Sequence, residues 1–308
     1  MANQIPLSGA SNAAGAYLLP DAQGALLTNG LLKEAGAIEL CGDARATSSR
    51  REVFPIYLGQ PTASFVGEGA RKPVTGAELG QATLTVKKVA TIVLMTDELR
   101  EDLANGDFDA LVDGGVRTAI RDVIDANMVG KAAGANITTN FDNALRATTA
   151  TVELANTGGD RLRLAISAAM GILEANGYGN PANMGLLLAA DINQHVRDAR
   201  SAADATNPVY DDADPFYGIQ RAFSTNLNTI STTTAAGKIV AFLVHRPNLH
   251  LRIRRDVTVA VTNEATVNDG TSDRFLFQED MQGLRWVTRI GFVVHDLNRA
   301  VIAITDAA

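Results

Sequence analysis

The sequence predicts a fold of the α+β class, and three observations support that prediction. The C-terminal third of the chain is patterned almost entirely as β-strands. A helical-period run of apolar side chains crosses residues 107–131, and helix and strand patterns alternate between residues 160 and 191. The chain has 308 residues, of which 46% are hydrophobic and 20% charged, so it can bury a sizeable core.

The charge balance argues against one class of function. The net charge of −7 and the pI near 5.2 disfavour tight, sequence-independent nucleic-acid binding, because such binding needs an excess of Lys and Arg. Cys41 is the only cysteine, so a buried reduced thiol is expected rather than a disulfide. No apolar run approaches membrane-spanning length, and the N-terminus lacks the features of a signal peptide. We therefore expect a soluble protein made in the cytoplasm.

The N-terminal segment, residues 1–35, is rich in Ala, Gly, Asn and Ser. Such a composition buries too little apolar surface to fold alone. Two interpretations stay open: a frayed terminus, and an arm that becomes ordered on assembly.

A long hairpin is predicted next. "REVFPIYLG" (51–59) has the composition of a strand, and Pro55 places it at a sheet edge. A charged, glycine-rich loop follows, and "ATLTVKKVATIVLM" (82–95) then predicts one long strand. Strands of this length project about 30 Å, and an isolated two-stranded ribbon is only marginally stable in water. The pattern therefore predicts a neighbouring surface that supports the ribbon.

Helices and one buried strand fill the middle of the chain. Carboxylates at 97–102 mark a helix start, and the apolar period predicts a long amphipathic helix over 107–131. A second helix is expected from the cap Asp160 to Gly177, and a third after Asp191. Between them, "NMGLLLAA" (183–190) is typical of a strand buried on both faces.

The rest of the chain is predicted to be loop and strand. A Pro- and Asp-rich loop occupies 204–218. The predicted strands after it are "KIVAFLVHR" (238–246), "LHLRIRRDVTVAVT" (249–262), "FLFQEDM" (275–281), "LRWVTRIGFVVHD" (284–296) and "AVIAIT" (300–305).

A search for catalytic and ligand-binding motifs finds none. The chain has no Walker pattern, no G-x-S-x-G elbow and no H-E-x-x-H pair. Solvated turns are the better interpretation of Asp211, Asp212 and Asp214, and of Asp269 with Asp273. We expect no enzyme activity, no catalytic residue, no cofactor and no metal. The four histidines lack metal-ligand spacing: His195, His245, His250 and His295.

Two stretches resemble the major capsid proteins of tailed bacteriophages that share the HK97 fold. The stretch 65–102 is similar to the family's aromatic-V-x-E-G-x-x-K-P element, its K-K-x-A-like strand and its acidic helix start. The stretch 275–305 is similar to the family's closing strands, with a hydrophobic–D–x–x–A–hydrophobic finish from Val294 to Val301. The matching residues of the first stretch are Phe65, Val66, Glu68, Gly69, Lys72, Pro73, Lys87, Lys88, Ala90, Glu98, Leu99, Glu101 and Asp102.

This resemblance implies an HK97-like capsid fold with an N-terminal arm, an extended β-hairpin called the E-loop, a P-domain with a long spine helix, and an α/β A-domain. It implies contacts between subunits through the E-loop, made by Phe65, Glu68, Gly69, Arg71, Lys72 and Pro73. The implied divisions are 1–46 for the arm and lead-in, 47–95 for the E-loop, 96–154 for the P-domain with its spine helix, 155–245 for the A-domain, 246–290 for further P-domain strands and 291–308 for a return to the A-domain.

The implied function is that of a major capsid protein, made in the host cytoplasm and located in the virion capsid. It would self-assemble into pentamers and hexamers of an icosahedral shell enclosing double-stranded DNA. The acidic chain would touch that DNA only weakly and non-specifically. Separate scaffolding, portal and decoration proteins are the other expected partners, without a membrane. Because the chain reaches the hairpin soon after Met1, we expect an uncleaved subunit without a scaffolding segment of its own.

Some relatives join the loop lysine to an asparagine of a neighbour through an isopeptide bond assisted by a glutamate. By resemblance Lys72 would be the donor, and Asn263 or Asn268, near Glu264, the acceptor. Lysine in this element is also common in relatives without the bond, so we expect no crosslink. Two alternatives stay open: an encapsulin-like shell of a protein nanocompartment, and, more distantly, a soluble α/β hydrolytic enzyme.

Overall fold

The computed structural model describes most of the chain after the N-terminal segment. The predictions for 1–35, Asp160, Asp191, and Asp211 with its neighbours fall outside the described residues. The residues that the structure describes are 36–59, 62–76, 78–98, 107–130, 132–133, 136–137, 140–141, 143–154, 161–190, 192, 216–227, 238–268 and 272–306.

A four-stranded sheet forms one half of the described body. Its strands, in spatial order, are β1 (Asp43–Ala46), β11 (Leu249–Thr262), β14 (Met281–Val294) and β4 (Lys87–Thr96). β1 runs parallel to β11, and the other neighbours are antiparallel. The long strand predicted over 249–262 is confirmed. The strand predicted over 284–296 begins earlier, at Met281, and ends earlier, at Val294.

A long helix packs on one face of this sheet. Helix α2 (Asp107–Val129) confirms the helix predicted over 107–131 and ends before Gly130, whose φ of 80° stops the helical turn. Its buried stripe, Val116, Ile120, Ile124 and Met128, belongs to the same core as Trp286. Burial of this stripe, rather than helix propensity, therefore fixes α2 on the sheet.

A five-stranded sheet forms the other half. Its order is β7 (Thr151–Glu153), β15 (Val301–Thr305), β10 (Ile239–His245), β8 (Met184–Ala189) and β9 (Gln220–Ser224). All six residues of β8 are buried, which confirms the strand predicted to be covered on both faces. Helix α3 (Arg161–Ala175) covers one face, and Gly177, with φ of 90°, follows its end as predicted.

The opposite face of the five-stranded sheet joins the α2 core. The short helix α1 (Gly36–Glu39) lies there against Leu187, and a Cβ at Gly36 would come within 2.0 Å of the Phe223 carbonyl oxygen. Asp125 of α2 is buried and accepts hydrogen bonds from the Ala37 amide and the Asn226 side chain. Beside α1, the half-buried Cys41 thiol donates to the Ala37 carbonyl, and burial raises the pKa of that thiol.

The hairpin consists of β2 (Arg51–Gly59) paired with β3 (Glu78–Thr85). The single long strand predicted over 82–95 is wrong, because the chain changes partner at Val86. β3 pairs with β2, whereas β4 pairs with β14 in the four-stranded sheet. The amide of Val86 donates to the Arg50 carbonyl at 3.0 Å and closes the base of the hairpin.

The predicted strand "FLFQEDM" is also wrong. Within this stretch only Phe275 and Met281 belong to strands, and residues 276–280 form a turn between them. Leu276 is buried, and its carbonyl accepts the Met281 amide at 2.9 Å, so burial of one side chain favours the turn. The remaining elements are β5 (Ala132–Ala133) with β6 (Asn136–Ile137), β12 (Thr266–Asn268) with β13 (Asp273–Phe275), and helix α4 (Leu297–Ala300).

Candidate functional site

The tip of the hairpin is uncovered in the single chain. Residues 62–76 are all exposed, and Phe65 and Val74 have relative exposures of 110% and 99%. A turn closed by the Ala70 amide on the Gly67 carbonyl, with Gly69 at φ of 79°, bends the tip. Phe65 and Val74 are therefore apolar side chains left open to solvent at the tip.

The six residues predicted for contacts between subunits all lie on this tip. Each of them is exposed, and among the described residues no hydrogen bond or ion pair holds the side chains of Glu68, Arg71 and Lys72. The structure therefore brings these residues together at the hairpin tip, where no described residue of the same chain pairs with their charges.

The root of the hairpin is held firmly, in contrast to the tip. Arg252 of β11 is buried, and its guanidinium lies 2.8 Å from Glu52 of β2 and 2.9 Å from Asp43 of β1. The same side chain donates at 3.1 Å to the Asp43 carbonyl. One arginine side chain thus links β2, the first strand of the hairpin, to β1 at the edge of the four-stranded sheet.

An aromatic stack extends this root cluster. The rings of Phe54 and His250 stack with centroids 4.3 Å apart, and His250 Nδ1 lies 2.9 Å from Asp43 Oδ2. His295 contributes from the end of β14, where its Nε2 donates at 3.0 Å to the Pro55 carbonyl. Side chains of β11 and of the residue after β14 therefore meet β2 within its first five residues.

The ionisation of the root follows from these contacts. Burial alone would raise the pKa of Asp43, but hydrogen bonds from Arg252 and His250 outweigh it and lower that pKa. The pKa of Glu52 is lowered in the same way by Thr47 and Arg252. Burial lowers the pKa of His250, and the Asp43 contact recovers only part of that shift. At neutral pH the root therefore holds two carboxylates, one guanidinium and a neutral imidazole.

Packing beneath β3 completes the root. Leu84 is fully buried against Val293 and Phe54. A Cβ on Gly291 would lie 2.6 Å from Leu84 Cδ2, so only glycine allows β3 to lie this close to β14. The hairpin therefore has a packed, ion-paired root and a bare tip.

The residues proposed for a crosslink lie on different elements. Lys72 is on the tip, Asn263 follows β11 and is exposed, and Asn268 on β12 donates to Asp273 at 2.7 Å. Within the part of the chain that the structure describes, no group of three or more His, Cys, Asp and Glu side chains could hold a metal ion. No helix among the described residues is long and apolar enough to cross a bilayer.

Sequence reasoning missed the root cluster. Its members come from residues 43, 52, 54, 250, 252 and 295, so no local motif joins them. One signal was present: His250 and Arg252 alternate with Leu249, Leu251 and Ile253 in a strand of buried character, and polar side chains there require partners.

The described chain combines two packed sheets with a hairpin that is buried at its root and exposed at its tip. The chain belongs to the phage capsid family, whose model matches residues 15–305. A search of curated proteins found no match.

Solved structures show the same fold. A chain from Mycobacterium phage Cain superposes with a TM-score of 0.72 at 19% identity, covering 95% of this chain and 97% of that one. For Mycobacterium phage Adephagia the TM-score is 0.71 at 20% identity, with coverages of 92% and 94%. The capsid of an empty GTA particle, computed with C5 symmetry, gives 0.65 at 14% identity, with coverages of 91% and 92%.

Proposed function

We propose that this protein is the major capsid protein of a tailed bacteriophage, which assembles into pentamers and hexamers of an icosahedral shell around packaged double-stranded DNA. The observation that carries the proposal is the hairpin: its root is buried and ion-paired, while Phe65 and Val74 at its tip have no cover. Membership of the phage capsid family supports it. The capsid structure computed with C5 symmetry, which shares the fold, supports it further.

The tip provides the energetic reason for assembly. Burial of a fully exposed Phe or Val side chain contributes about 1.5–3 kcal/mol. On each subunit this gain comes from covering Phe65 and Val74 with a neighbour, in a head-to-tail contact that closes into a ring. Glu68, Arg71 and Lys72 would add register through ion pairs more than affinity. Modest contacts then suffice, because ring closure and shell closure multiply them.

In this proposal each described element takes a place in an HK97-like subunit. The hairpin β2–β3 takes the place of the E-loop, helix α2 that of the spine helix, and the four-stranded sheet that of the P-domain. The five-stranded sheet with α3 takes the place of the A-domain, which clusters at the centre of each capsomer. The N-terminal arm would run over a neighbouring subunit.

The remaining partners follow from the same proposal. A scaffolding protein, a portal and decoration proteins would act as separate chains, and synthesis would take place in the host cytoplasm. With a net charge of −7, the subunit would hold packaged DNA only weakly, so that packaging and ejection are not hindered.

Electron microscopy of the purified protein tests this function. We expect closed icosahedral particles, filled with DNA when they are isolated from infected cells. Shells that enclose protein cargo instead of DNA would favour a nanocompartment, and discrete small oligomers at high protein concentration would refute a capsid role.

A denaturing gel tests the covalent state of the shell. Because Lys72 is not a dedicated crosslinking residue in this proposal, boiling in detergent should return a single band at the mass of the monomer, 32.5 kDa. A ladder of multimers that disappears in Lys72→Arg would contradict this and would identify an isopeptide bond.

A further inference from the structure

A row of positive charges crosses the four-stranded sheet. In the strand register Arg255 of β11 lies opposite Arg289 of β14, which in turn lies opposite Lys88 of β4. Paired residues of neighbouring strands point to the same face, so these three cations stand side by side at the spacing of adjacent strands, about 5 Å. Trp286 and Ile290 of β14 face the core with α2, so the alternation of the strand places Arg289 on the opposite, outer face.

This cation row has no anionic partner in the part of its own chain that the structure describes. Arg255 and Lys88 are exposed and Arg289 is half-buried. Among the described residues, none of the three has an ion pair or a side-chain hydrogen bond. Like charges directly opposite each other on a sheet are destabilising, so the row needs negative charge from outside.

The rest of the same face is suited to protein rather than to nucleic acid. Beside the row, Ala90 lies opposite Val287, and Ile92 lies opposite Arg285 and is 49% exposed. Ile92 and Arg285 also line a shallow, mostly apolar groove with Ala260 and Gly283. Nucleic-acid interfaces are polar and strongly basic over their whole area, whereas this face combines a short cation row with an apolar groove.

The chain itself carries a complementary charge. The segment 97–113, which runs from the end of β4 into α2, holds seven carboxylates and one arginine, a net charge of −6 in a chain of net −7. It does not meet the row of its own subunit at its described ends. The Asp97 amide donates to the Asp280 carbonyl, and Asp97 lies nine residues after Lys88, a distance of about 30 Å along an extended strand. Helix α2 lies on the other face of the sheet.

We propose that the cation row of Arg255, Arg289 and Lys88 is the docking site for the acidic segment 97–113 of a second copy of this chain. The inference rests on the proposed assembly function and names one pair of surfaces within it. Carboxylates of the second copy would neutralise the row, and the apolar groove would pack against the same neighbour. Each subunit carries both surfaces, so the contact is head-to-tail and repeats around a closed assembly.

Charge reversal and charge exchange test this pairing. The first variant reverses the exposed ends of the row, Lys88→Glu with Arg255→Glu. The matched control reverses two exposed cations away from the row, Arg221→Glu in β9 with Lys238→Glu just before β10, for the same change in net charge. The exchange variant combines the row reversal with Glu98→Lys, Glu101→Lys and Asp102→Lys. Circular dichroism and thermal melting check that each variant is folded.

Sedimentation velocity over a concentration series measures association in all four proteins. We expect row reversal to raise the concentration needed for assembly about tenfold, the control to leave it within about twofold, and the exchange variant to recover most of the loss. Normal assembly of the row-reversed protein would overturn the proposal. So would a loss that the exchange fails to recover, or one that the control shares.

Two further outcomes separate this pairing from DNA binding by the row and from a failure of the assembly function. If row reversal leaves association unchanged but weakens binding of a duplex DNA oligonucleotide, the occupant is nucleic acid and the proposal is wrong. If the wild-type chain forms no closed shells, the proposed function fails. The pairing of the cation row with the acidic segment can still be tested in that case, because sedimentation also detects row-dependent association into small oligomers.

Discussion

Arg252→Ala is the most informative single change at the root of the hairpin. It removes the guanidinium that pairs with Asp43 at 2.9 Å and Glu52 at 2.8 Å. The side chain of Arg252 is 8% exposed, and those of Asp43 and Glu52 are 17% and 27% exposed, so both carboxylates lose a cationic partner in a largely desolvated site. Asp43 keeps its contact with His250, and Glu52 keeps its hydrogen bond from Thr47. Breaking a buried pair costs about 3–5 kcal/mol, and the residual exposure of the carboxylates places this case at the low end, about 3 kcal/mol.

Equilibrium unfolding of the unassembled chain in urea measures this loss. The matched control is Arg254→Ala, two residues along the same strand, because Arg254 is exposed and has no ion pair among the described residues. We expect the control to change the free energy of unfolding by less than about 0.5 kcal/mol. Hydrogen exchange should show faster exchange in β2 and β3 for Arg252→Ala alone. A loss below about 1 kcal/mol, or an equal loss in the control, would refute the role assigned to Arg252.

Three other predictions concern the root and the tip. The pKa values of Asp43 and Glu52 are lowered in the folded state, and that of His250 lies below its usual 6.5. Folding should therefore release protons, and the free energy of unfolding should fall as pH drops from about 6.5 to 4. A free energy of unfolding that stays constant or rises over this range in urea titrations would contradict this prediction. Gly291→Ala should cost about 1–3 kcal/mol through its clash with Leu84, whereas Gly114→Ala, in open space on α2, should stabilise by about 1 kcal/mol, both measured by urea unfolding. Phe65→Ser should leave the free energy of unfolding of the unassembled chain unchanged while reducing particle yield in electron microscopy, unlike Leu164→Ser on α3; equal yields would show that the tip is not covered on assembly.

Local patterns predicted the long helix and the buried strands well. The apolar period of α2 and the continuous apolar run of β8 are each set by neighbours in sequence, and both were confirmed. The pattern over 82–95 was misread because β3 and β4 have the same alternation and no turn residue separates them. Only the change of hydrogen-bonding partner, from β2 to β14, divides them at Val86.

The candidate site divides in the same way. The exposure of the tip, with Phe65, Lys72 and Pro73, could be predicted from the sequence, because a charged glycine-rich stretch between two strands cannot form a core. The Arg252 cluster was not, because Asp43 and Glu52 are two hundred or more residues away along the chain. The cation row likewise exists only in the register of β11, β14 and β4.

The sequence by itself determined the α+β class, the long helix, the buried strands and the polar, glycine-rich stretch between the two hairpin strands. The tertiary structure decided which strands are neighbours, how the hairpin is fastened at its root, and which charges share a face. The physical reason is range: periodicity records how each residue meets solvent or core, whereas strand pairing and ion pairing depend on residues that only the folded chain brings together.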